Sequence, residues 1–226
     1  MRVLVTSGAT REPIDGVRFI TNFSTGATGA ALAERLRRGG HQVFYLHGQG
    51  ARRPRDPRGC AVFNDFKDLD RKLRGLLRRR RFDLILHLAA VGDYSVRSVV
   101  VGGRRRQPAR LRKIDSGAEV RIELKRNFKI LDRLSGYAAN RPLIVGFKLT
   151  NTTDQAAIRR AVGRLGCDLV VHNDRHDMKD DRTRKFRIFE RGRMLAACAS
   201  RSELARRLCS VAKRGRDHAS RIGRGQ

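Results

Sequence analysis

The stretch that decides the fold is residues 2–40, RVLVTSGATREPIDGVRFITNFSTGATGAALAERLRRGG. It opens with a short apolar run that ends at Gly8, which predicts a buried strand. A loop broken by Pro13 and Gly16 follows. The last third carries alanine and leucine at helical spacing and ends at Gly39 and Gly40, which predicts a helix. A strand, a loop and a helix in this order form the first unit of an α/β fold.

The alternation of strands and helices continues along the chain. Further strands are predicted at 41–48, 82–94, 142–150 and 167–174, a half-exposed strand at 118–126, a hairpin within 185–199, and helices at 66–80, 129–139, 153–165 and 201–212. The main strands are apolar without alternation, so both faces of their sheet are expected to be covered. We therefore predict an α/β, Rossmann-like doubly wound fold: a mainly parallel sheet with helices on both faces and a small C-terminal hairpin. Residues 1–213 form one domain in this prediction, and 214–226 form a basic, disordered tail.

The composition narrows the class of protein. The 226 residues are 40% hydrophobic, which is enough for a core, and no run reaches the eighteen or so apolar residues of a membrane span. The first residues turn polar too soon for a secretory signal. The four cysteines form no CxxC pair, which argues against a zinc site or a disulfide framework. We expect reduced thiols, a cytoplasmic location and no membrane contact.

The formal charge of +29 is extreme and comes mostly from arginine. It is consistent with binding to nucleic acid, with attraction of a multiply charged small substrate, or with a solvated surface. Aromatic residues make up 6% of the chain and tryptophan is absent, so stacking platforms for single strands are not prominent. Nucleic-acid binding therefore stays possible, and the charge alone identifies no partner.

Polar and glycine-containing segments follow four of the predicted strands, at the edge of a parallel sheet where ligands bind. They read TSGATREP, LAAVGDY, VGFKLTN and VVHND. The segment from Asn22 to Gly29 opens the first helix at the same edge. Such a segment can simply cap the helix, or its N–H groups and the helix dipole can hold a phosphate. The convergence of four strand ends favours the phosphate cradle.

These same segments resemble the ordered motifs of phosphopantothenate–cysteine ligase, also called phosphopantothenoylcysteine synthetase. The resemblance rests on VLVTSGATREPIDGVRFITNFSTGATG, AAVGDY, the lysine of RKID, VGFKLT and DLVVHND, and it covers about residues 1–212. It is closest to the standalone bacterial form. It implies a ligase of coenzyme A biosynthesis that joins 4'-phosphopantothenate to L-cysteine. A nucleoside triphosphate, CTP more than ATP, would activate the carboxylate as an acyl-nucleotide. Mg²⁺ would arrive with the triphosphate at unknown protein ligands, and the protein would be a homodimer.

The resemblance also implies roles for residues of the first block. Asn22 would hold the acyl-nucleotide and assist its attack by cysteine. Gly8 belongs to the nucleotide-binding set, and Arg18 would reach the phosphate of the pantothenate. Backbone and hydroxyl groups of one run would bind phosphate: Ser24, Thr25, Gly26 and Gly29.

Further roles fall in the later motifs. Ala89, Ala90 and Asp93 match the nucleotide-binding turn, and Gly92 stands where the family often has alanine. Lys113 matches a lysine beside a mobile flap that neutralises the triphosphate, although a basic segment, VVVGGRRRQPARLR, precedes it here. Phe147 and Lys148 would line the nucleotide pocket. In the stretch LKRNFKI, Asn127 fits the family pattern K-N-P-x-I and Phe128 replaces its proline. Asn173 and Asp174 end the last parallel strand, where Asp174 has a structural role in this interpretation.

A dinucleotide-dependent reductase is the main alternative enzyme on the same kind of sheet. It requires a glycine-rich turn such as G-x-G-x-x-G after the first strand, and the turn here is SGATREP. It also requires a Tyr-x-x-x-Lys pair, and the residues four positions after Tyr45, Tyr94 and Tyr137 are not lysines. Both requirements fail, so a reductase is disfavoured.

Overall fold

The structure, a computed structural model, describes residues 1–176 and 185–222. Its strands are β1 (Arg2–Ser7), β2 (Arg11–Pro13), β3 (Phe19–Thr21), β4 (Gln42–Gly48), β5 (Cys60–Phe63), β6 (Leu84–His87), β7 (Tyr94–Val101), β8 (Arg104–Arg106), β9 (Val120–Arg126), β10 (Leu143–Thr150), β11 (Leu169–Asp174), β12 (Phe186–Glu190) and β13 (Arg193–Cys198). Its α-helices are α1 (Ala27–Arg38), α2 (Phe66–Arg79), α3 (Leu134–Tyr137), α4 (Gln155–Gly163) and α5 (Arg201–Ile222). Single 3₁₀ turns lie at Pro108–Arg110 and Leu131–Arg133.

The main sheet has eight strands in the order β13-β12-β11-β10-β6-β1-β4-β5. The strands from β11 to β5 in this order run parallel. The last two strands, β12 and β13, are antiparallel and form the predicted C-terminal hairpin at one edge. The chain starts in the middle of the sheet, because β1 pairs with β4 on one side and with β6 on the other.

Helices cover both faces of this sheet. Val3 and Val5 of β1 pack with α1 and α5 on one face, because alternate residues of a strand point to opposite sides. Leu4 packs with α2 and the 131–134 turn on the other face, and α4 lies over β11 on that same side. The predicted Rossmann-like α/β fold is therefore confirmed. Across the described ranges, no helix has the length and apolar content needed to cross a bilayer.

The basic segment before Lys113 forms regular structure that the sequence analysis did not predict. Strands β8, β7 and β9 build a separate three-stranded antiparallel sheet, which we call the outer sheet, and β7 turns into β8 at Gly102 and Gly103. Both glycines have positive φ, 52° and 77°, as a two-residue hairpin turn requires. Val99, which pairs with Arg106, is fully buried in this sheet. The arginines of β8 obscure the strand pattern because all three are exposed, so β8 shows no alternation of apolar and polar residues.

Other elements also differ from their predicted bounds. The loop after β1 contains the short antiparallel pair β2–β3, and the four-residue strand β5 was not predicted. The predicted helix 129–139 is a 3₁₀ turn followed by the single turn of α3.

The last helix was predicted to end at residue 212, before a disordered tail from 214. Instead α5 continues to Ile222, because one glycine, worth about 1 kcal/mol against a helix, is the single strong breaker in that stretch. Residues 223–226 of the predicted tail lie outside the described residues. The domain boundary at 213 stays a prediction.

Candidate active site

A cleft of about 930 Å³ opens at the carboxyl edge of the parallel sheet. One wall is the loop that leads into α1 together with the first residues of that helix, residues 22–29. The opposite wall is the turn that follows β6, residues 88–93, together with residues 128–131. The ends of β10 and β11 form the floor, with Asn173 and Arg175 at the far side. We call residues 88–93 the cleft turn.

Ten of the thirteen residues assigned to the site from sequence line this cleft. They are Asn22, Ser24, Thr25, Gly26, Gly29, Ala89, Ala90, Asp93, Phe147 and Lys148. Three are not among the lining residues: Gly8, Arg18 and Lys113. Asn22 and Lys148, the first and last of these ten residues, are more than 120 positions apart in the chain, and the carboxyl ends of parallel strands bring them to one edge.

The amino-terminal end of α1 opens into the cleft. The helix begins after Gly26, whose φ of 72° is left-handed and which has no side chain to cap the helix. The Thr25 hydroxyl accepts from the amide of Ala27 at 3.4 Å, longer than an ordinary hydrogen bond. The first turn of α1 carries no acidic residue. The positive end of the helix dipole therefore faces the cleft with little local compensation, which suits an anionic ligand.

Gly29 lets α1 approach the sheet closely. A Cβ atom at this position would lie 2.2 Å from Oγ of Ser7, at the end of β1. The Ser7 hydroxyl donates to the carbonyl of Gly26 at 3.1 Å and ties the helix start to the strand. A larger residue at Gly29 would push the helix start away from the cleft.

The cleft turn is held by β1 from behind. The amide of Ala89 donates to Oγ1 of Thr6 at 3.2 Å, and the amide of Ala90 donates to the carbonyl of Gly8 at 2.7 Å. Gly8 has a φ of 81°, and a Cβ there would lie 2.5 Å from Cβ of Ala51. Gly8 thus shapes the support of the turn. Gly8 does not line the cleft, although the family motifs imply that it belongs to the nucleotide-binding set.

Asn22 bridges the two walls. Its side-chain amide donates to the carbonyl of Val91 at 3.2 Å, across from the entrance to α1. The residue is exposed to the cleft, so its amide can exchange this contact for one with a bound ligand.

Three cations and one carboxylate line the cleft among the described residues. Lys129 forms an ion pair with Asp93, and both side chains are more than half exposed. Lys148 and Arg175 complete the cationic set. Lys129 and Arg175 were not assigned from sequence, although Lys129 stands in the quoted NFKI stretch and Arg175 directly follows VVHND. Both residues could have been assigned from sequence, because each stands in or directly beside a motif that the sequence analysis quotes.

His87 lies at the end of β6 and borders the cleft from a buried position. Burial lowers its pKa to about 4, and its Nδ1 is 2.9 Å from Oγ1 of Thr6. The ring is therefore neutral at pH 7. Its contribution is shape and hydrogen bonding under the cleft turn.

Asp174 ends β11 beneath the cleft. The carboxylate is buried, and it accepts hydrogen bonds from the Thr150 hydroxyl, the amide of Thr152 at 3.1 Å, and the amide of His176 at 2.8 Å. Burial opposes ionisation, but these donors lower the pKa of Asp174 below its ordinary value. These contacts agree with the structural role predicted for Asp174.

Arg18 and Lys113, which do not line the cleft, lie on two loops joined by Asp15. The buried Asp15 carboxylate accepts from Arg18 Nη1 at 2.8 Å and from the amide of Ile114 at 3.0 Å. Burial raises its pKa, but backbone hydrogen bonds from Val17, Ile114 and Arg18 outweigh that effect and lower it to about 2. Asp15 therefore holds Arg18 next to the segment that carries Lys113.

Within the described ranges, no three His, Cys, Asp or Glu side chains converge in a way that could hold a metal ion. A metal that enters with a triphosphate needs one or two protein carboxylates at most. Asp93 is the carboxylate among the described lining residues that could serve.

The parallel sheet and the cleft at its carboxyl edge define a Rossmann-like α/β protein whose cleft suits an anionic ligand. The sequence profile of one family matches residues 1–214: the DNA/pantothenate metabolism flavoprotein C-terminal domain, or DFP. The chain belongs to this family. The match confirms the family resemblance drawn from the sequence motifs.

Curated relatives cover most of this chain. The coenzyme A biosynthesis bifunctional protein CoaBC of Thermococcus kodakarensis is 32% identical over 176 residues, which are 76% of this chain and 41% of that protein. CoaBC of Methanocaldococcus jannaschii is 29% identical over 219 residues, which are 94% of this chain and 50% of that protein. The chain thus spans half the length of these relatives or less.

Solved structures share the fold. The DNA/pantothenate metabolism flavoprotein of Streptococcus pneumoniae has a TM-score of 0.78 at 24% identity, over 94% of this chain and 98% of that one. A Cab2 mutant in complex with phosphopantothenate-cysteine has a TM-score of 0.75 at 19% identity, over 97% of this chain and 88% of that one. At these identities the likeness is one of fold.

Proposed function

We propose that this protein is a ligase of coenzyme A biosynthesis that joins 4'-phosphopantothenate and L-cysteine into 4'-phosphopantothenoylcysteine. CTP, with ATP as the alternative, would activate the carboxylate, and the reaction would take place in the cytoplasm. The observation that carries the proposal is the cleft itself, which gathers ten of the thirteen residues implied by the family motifs. The names of the sequence relatives, and the phosphopantothenate-cysteine bound to the structural relative, support the same reaction.

The first step brings two anions together. A carboxylate oxygen of phosphopantothenate attacks the α-phosphorus of the nucleotide, the bond to the β-phosphate oxygen breaks, and pyrophosphate leaves. Charge neutralisation and alignment are the main tasks of the protein in such a step. The start of α1 and the side chains of Lys129, Lys148 and Arg175 supply positive potential to the cleft.

The second step makes the amide. The amine of cysteine attacks the acyl carbon and loses a proton, while the bond from that carbon to the nucleotide phosphate oxygen breaks and the nucleoside monophosphate leaves. Negative charge develops on the acyl oxygen during the attack, and a nearby amide donor stabilises it. We assign this task to Asn22, whose side-chain amide lines the cleft and donates to the carbonyl of Val91 on the opposite wall.

We assign the nucleotide and its metal ion to the same cleft. The cleft turn offers backbone groups for the base, held by the bonds from Ala89 and Ala90 to β1. Mg²⁺ bound to the triphosphate would neutralise its charge and fix its geometry. Asp93 is the residue we assign to contact it, in place of its present partner Lys129.

We also propose a homodimer. Apolar side chains are exposed on two neighbouring regions, the 17–20 loop and the outer sheet: Val17, Phe19, Ile20, Tyr94, Val120 and Leu124. Exposed apolar groups clustered in this way are typical of interfaces. Light scattering coupled to size exclusion at several protein concentrations would give the mass in solution.

The test is pyrophosphate release by the purified protein with 4'-phosphopantothenate, L-cysteine and Mg²⁺, with CTP and ATP compared. Release that requires phosphopantothenate, followed by formation of the cysteine amide in the mass spectrum, supports the ligase. A preference for CTP supports the nucleotide assignment, and a preference for ATP rejects it while keeping the reaction. Folded protein that releases no pyrophosphate with either nucleotide rejects the proposed function.

A further inference from the structure

A buried carboxylate that does not line the cleft joins three elements behind it. Glu12, in β2, is 5% exposed. Its Oε1 accepts from the amide of Phe66, at the start of α2, at 2.8 Å, and its Oε2 accepts from the hydroxyl of Ser95 at 2.7 Å. Two donors to one buried carboxylate make charge-assisted hydrogen bonds, which are stronger than neutral ones.

Ser95 passes this link on to Asn127. Because the Ser95 proton goes to Glu12, its oxygen accepts from Nδ2 of Asn127, at 2.9 Å. The second proton of Nδ2 goes to the carbonyl of Gly92 at 3.0 Å. The backbone amide of Asn127 donates to the carbonyl of Asp93 at 2.8 Å. The chain of bonds therefore runs from Glu12 to the cleft turn.

The Asn127 end of this series of hydrogen bonds determines where two lining residues lie, Gly92 and Lys129. Both backbone polar groups of Gly92 are hydrogen-bonded, because its carbonyl accepts from Asn127 and its amide donates to Oγ1 of Thr10 at 3.0 Å. Asn127 fixes the segment that continues to Lys129, whose ammonium group meets the carboxylate of Asp93. One buried network thus fixes a charged pair on one wall of the cleft, where neither partner is fixed by burial.

We propose that Glu12 and Ser95 are positioning residues, which act through Asn127 to hold the Gly92–Asp93 turn and Lys129 in register for the nucleotide. The nucleotide assignment rests on the proposed function. Neither Glu12 nor Ser95 is among the residues that line the cleft. A bond that only stabilised the fold would affect the whole domain, whereas this one ends at a single turn of the site.

The experiment compares Ser95→Ala with Ser98→Ala. Ser98 is the matched control because it lies in the same strand, is also buried, and also donates to a carboxylate, Oε2 of Glu123, at 2.5 Å. Its partner belongs to the outer sheet and has no bond to the cleft turn among the described contacts. The readouts are amide hydrogen exchange of peptides covering 88–93 and 127–129, and KM and kcat for the nucleotide.

We expect Ser95→Ala to raise exchange in both peptides, and the nucleotide KM, by about tenfold, with a smaller change in kcat. Ser98→Ala should leave these values within twofold of wild type, and Ser95→Thr, which keeps the hydroxyl, should restore them. Equal behaviour of the two alanine variants in exchange would overturn the proposal. Should Ser95→Ala not fold, Asn127→Ala, which leaves the Ser95–Glu12 bond in place, is measured in the same way.

The two proposals fail separately. Wild-type protein that releases no pyrophosphate rejects the ligase, while hydrogen exchange still decides whether Ser95 orders the cleft turn. If the wild type is active but Ser95→Ala leaves both the amide hydrogen exchange and the nucleotide KM unchanged, the positioning role is rejected and the ligase is kept.

Discussion

The two edges of the parallel sheet differ in how they present positive charge. The carboxyl edge holds the cleft, where glycine-rich backbone and the start of α1 face the solvent. The amino edge holds a smaller cavity of about 370 Å³ lined by Arg2, Arg80 and Arg81, with the Arg80 guanidinium 5.4 Å above the ring of Phe44. By side-chain charge alone, the amino edge is the more cationic of the two.

The difference follows from the direction of the helices. Helix starts gather at the carboxyl edge and bring the positive ends of their dipoles, while helix ends gather at the amino edge and bring the negative ends. The last turn of α1 carries Arg35, Arg37 and Arg38, and that of α2 carries Arg78 and Arg79. These arginines at the amino edge offset the negative ends of the helix dipoles, so the fold accounts for them without a ligand. Density of arginine is therefore a poor guide to the site.

The largest effect is expected from Asn22→Asp at the carboxyl edge. The change keeps the size of the side chain but replaces an amide donor with a carboxylate facing an anionic intermediate. Amide formation should fall about a thousandfold, the upper end for loss of one such donor, and acyl-nucleotide should accumulate. Rapid quench with mass spectrometry measures both species. Normal turnover would remove Asn22 from its assigned role.

The next effect separates two lysines. Lys129 lines the cleft and Lys113 does not, although the family motif implies Lys113 for the triphosphate. In the arrangement described here, Lys129→Gln should raise the barrier to pyrophosphate release by about 2 kcal/mol, since one cation among three is lost. Lys113→Gln is measured beside it under single-turnover conditions. A larger loss for Lys113→Gln would show that its segment closes over the cleft during the reaction.

A smaller effect is expected on the pH dependence of the free energy of unfolding, and it comes from His87 beneath the cleft turn. Burial holds the pKa of His87 at about 4, below the ordinary value of 6.5, so the unfolded chain binds the proton first as pH falls. Stability should therefore decrease between pH 6.5 and pH 4, by about 1 kcal/mol from pH 7 to pH 5.5. Urea unfolding of wild type and His87→Gln over this range measures it. An equal pH dependence in both proteins would contradict the assignment.

The smallest effect is expected at the amino edge. The double change Arg80→Gln with Arg81→Gln removes two of the three arginines from the smaller cavity but leaves the carboxyl edge untouched. Pyrophosphate release should stay within twofold of wild type. A tenfold loss would mean that the two edges are coupled, and that the comparison drawn between them is wrong.

The sequence predicted the main sheet except for β5, and ten of the residues that line the cleft, because their signals are local. Each strand end carries its own polar or glycine signature, and parallel topology alone brings these ends together. The position of Arg18 could not be predicted in this way. It depends on Asp15 and on the carbonyl of Ile114, which lies 96 residues further along the chain.

The half-exposed strand predicted at 118–126 is β9, but the other two strands of the outer sheet, β7 and β8, were not predicted from the sequence. Its strands bury valines such as Val99, but arginines stand at their paired positions and dilute the apolar pattern. The network from Glu12 to Gly92 was also invisible, because it joins positions 12, 95, 127 and 92 through side chains of ordinary composition. Non-local pairs of this kind leave no periodic signal.

The central position of β1 has a consequence for how the chain is made. Residues 1–87 contain β1, β4, β5 and β6, which are neighbours in the sheet, so a four-stranded layer with α1 and α2 can assemble while the remaining residues are still on the ribosome. Strand β10 then joins at β6, and each later strand of the main sheet joins the one before it. The cleft is completed only in this second stage, because β10 and β11 supply its floor. A half-synthesised chain would therefore carry a folded layer and no working site.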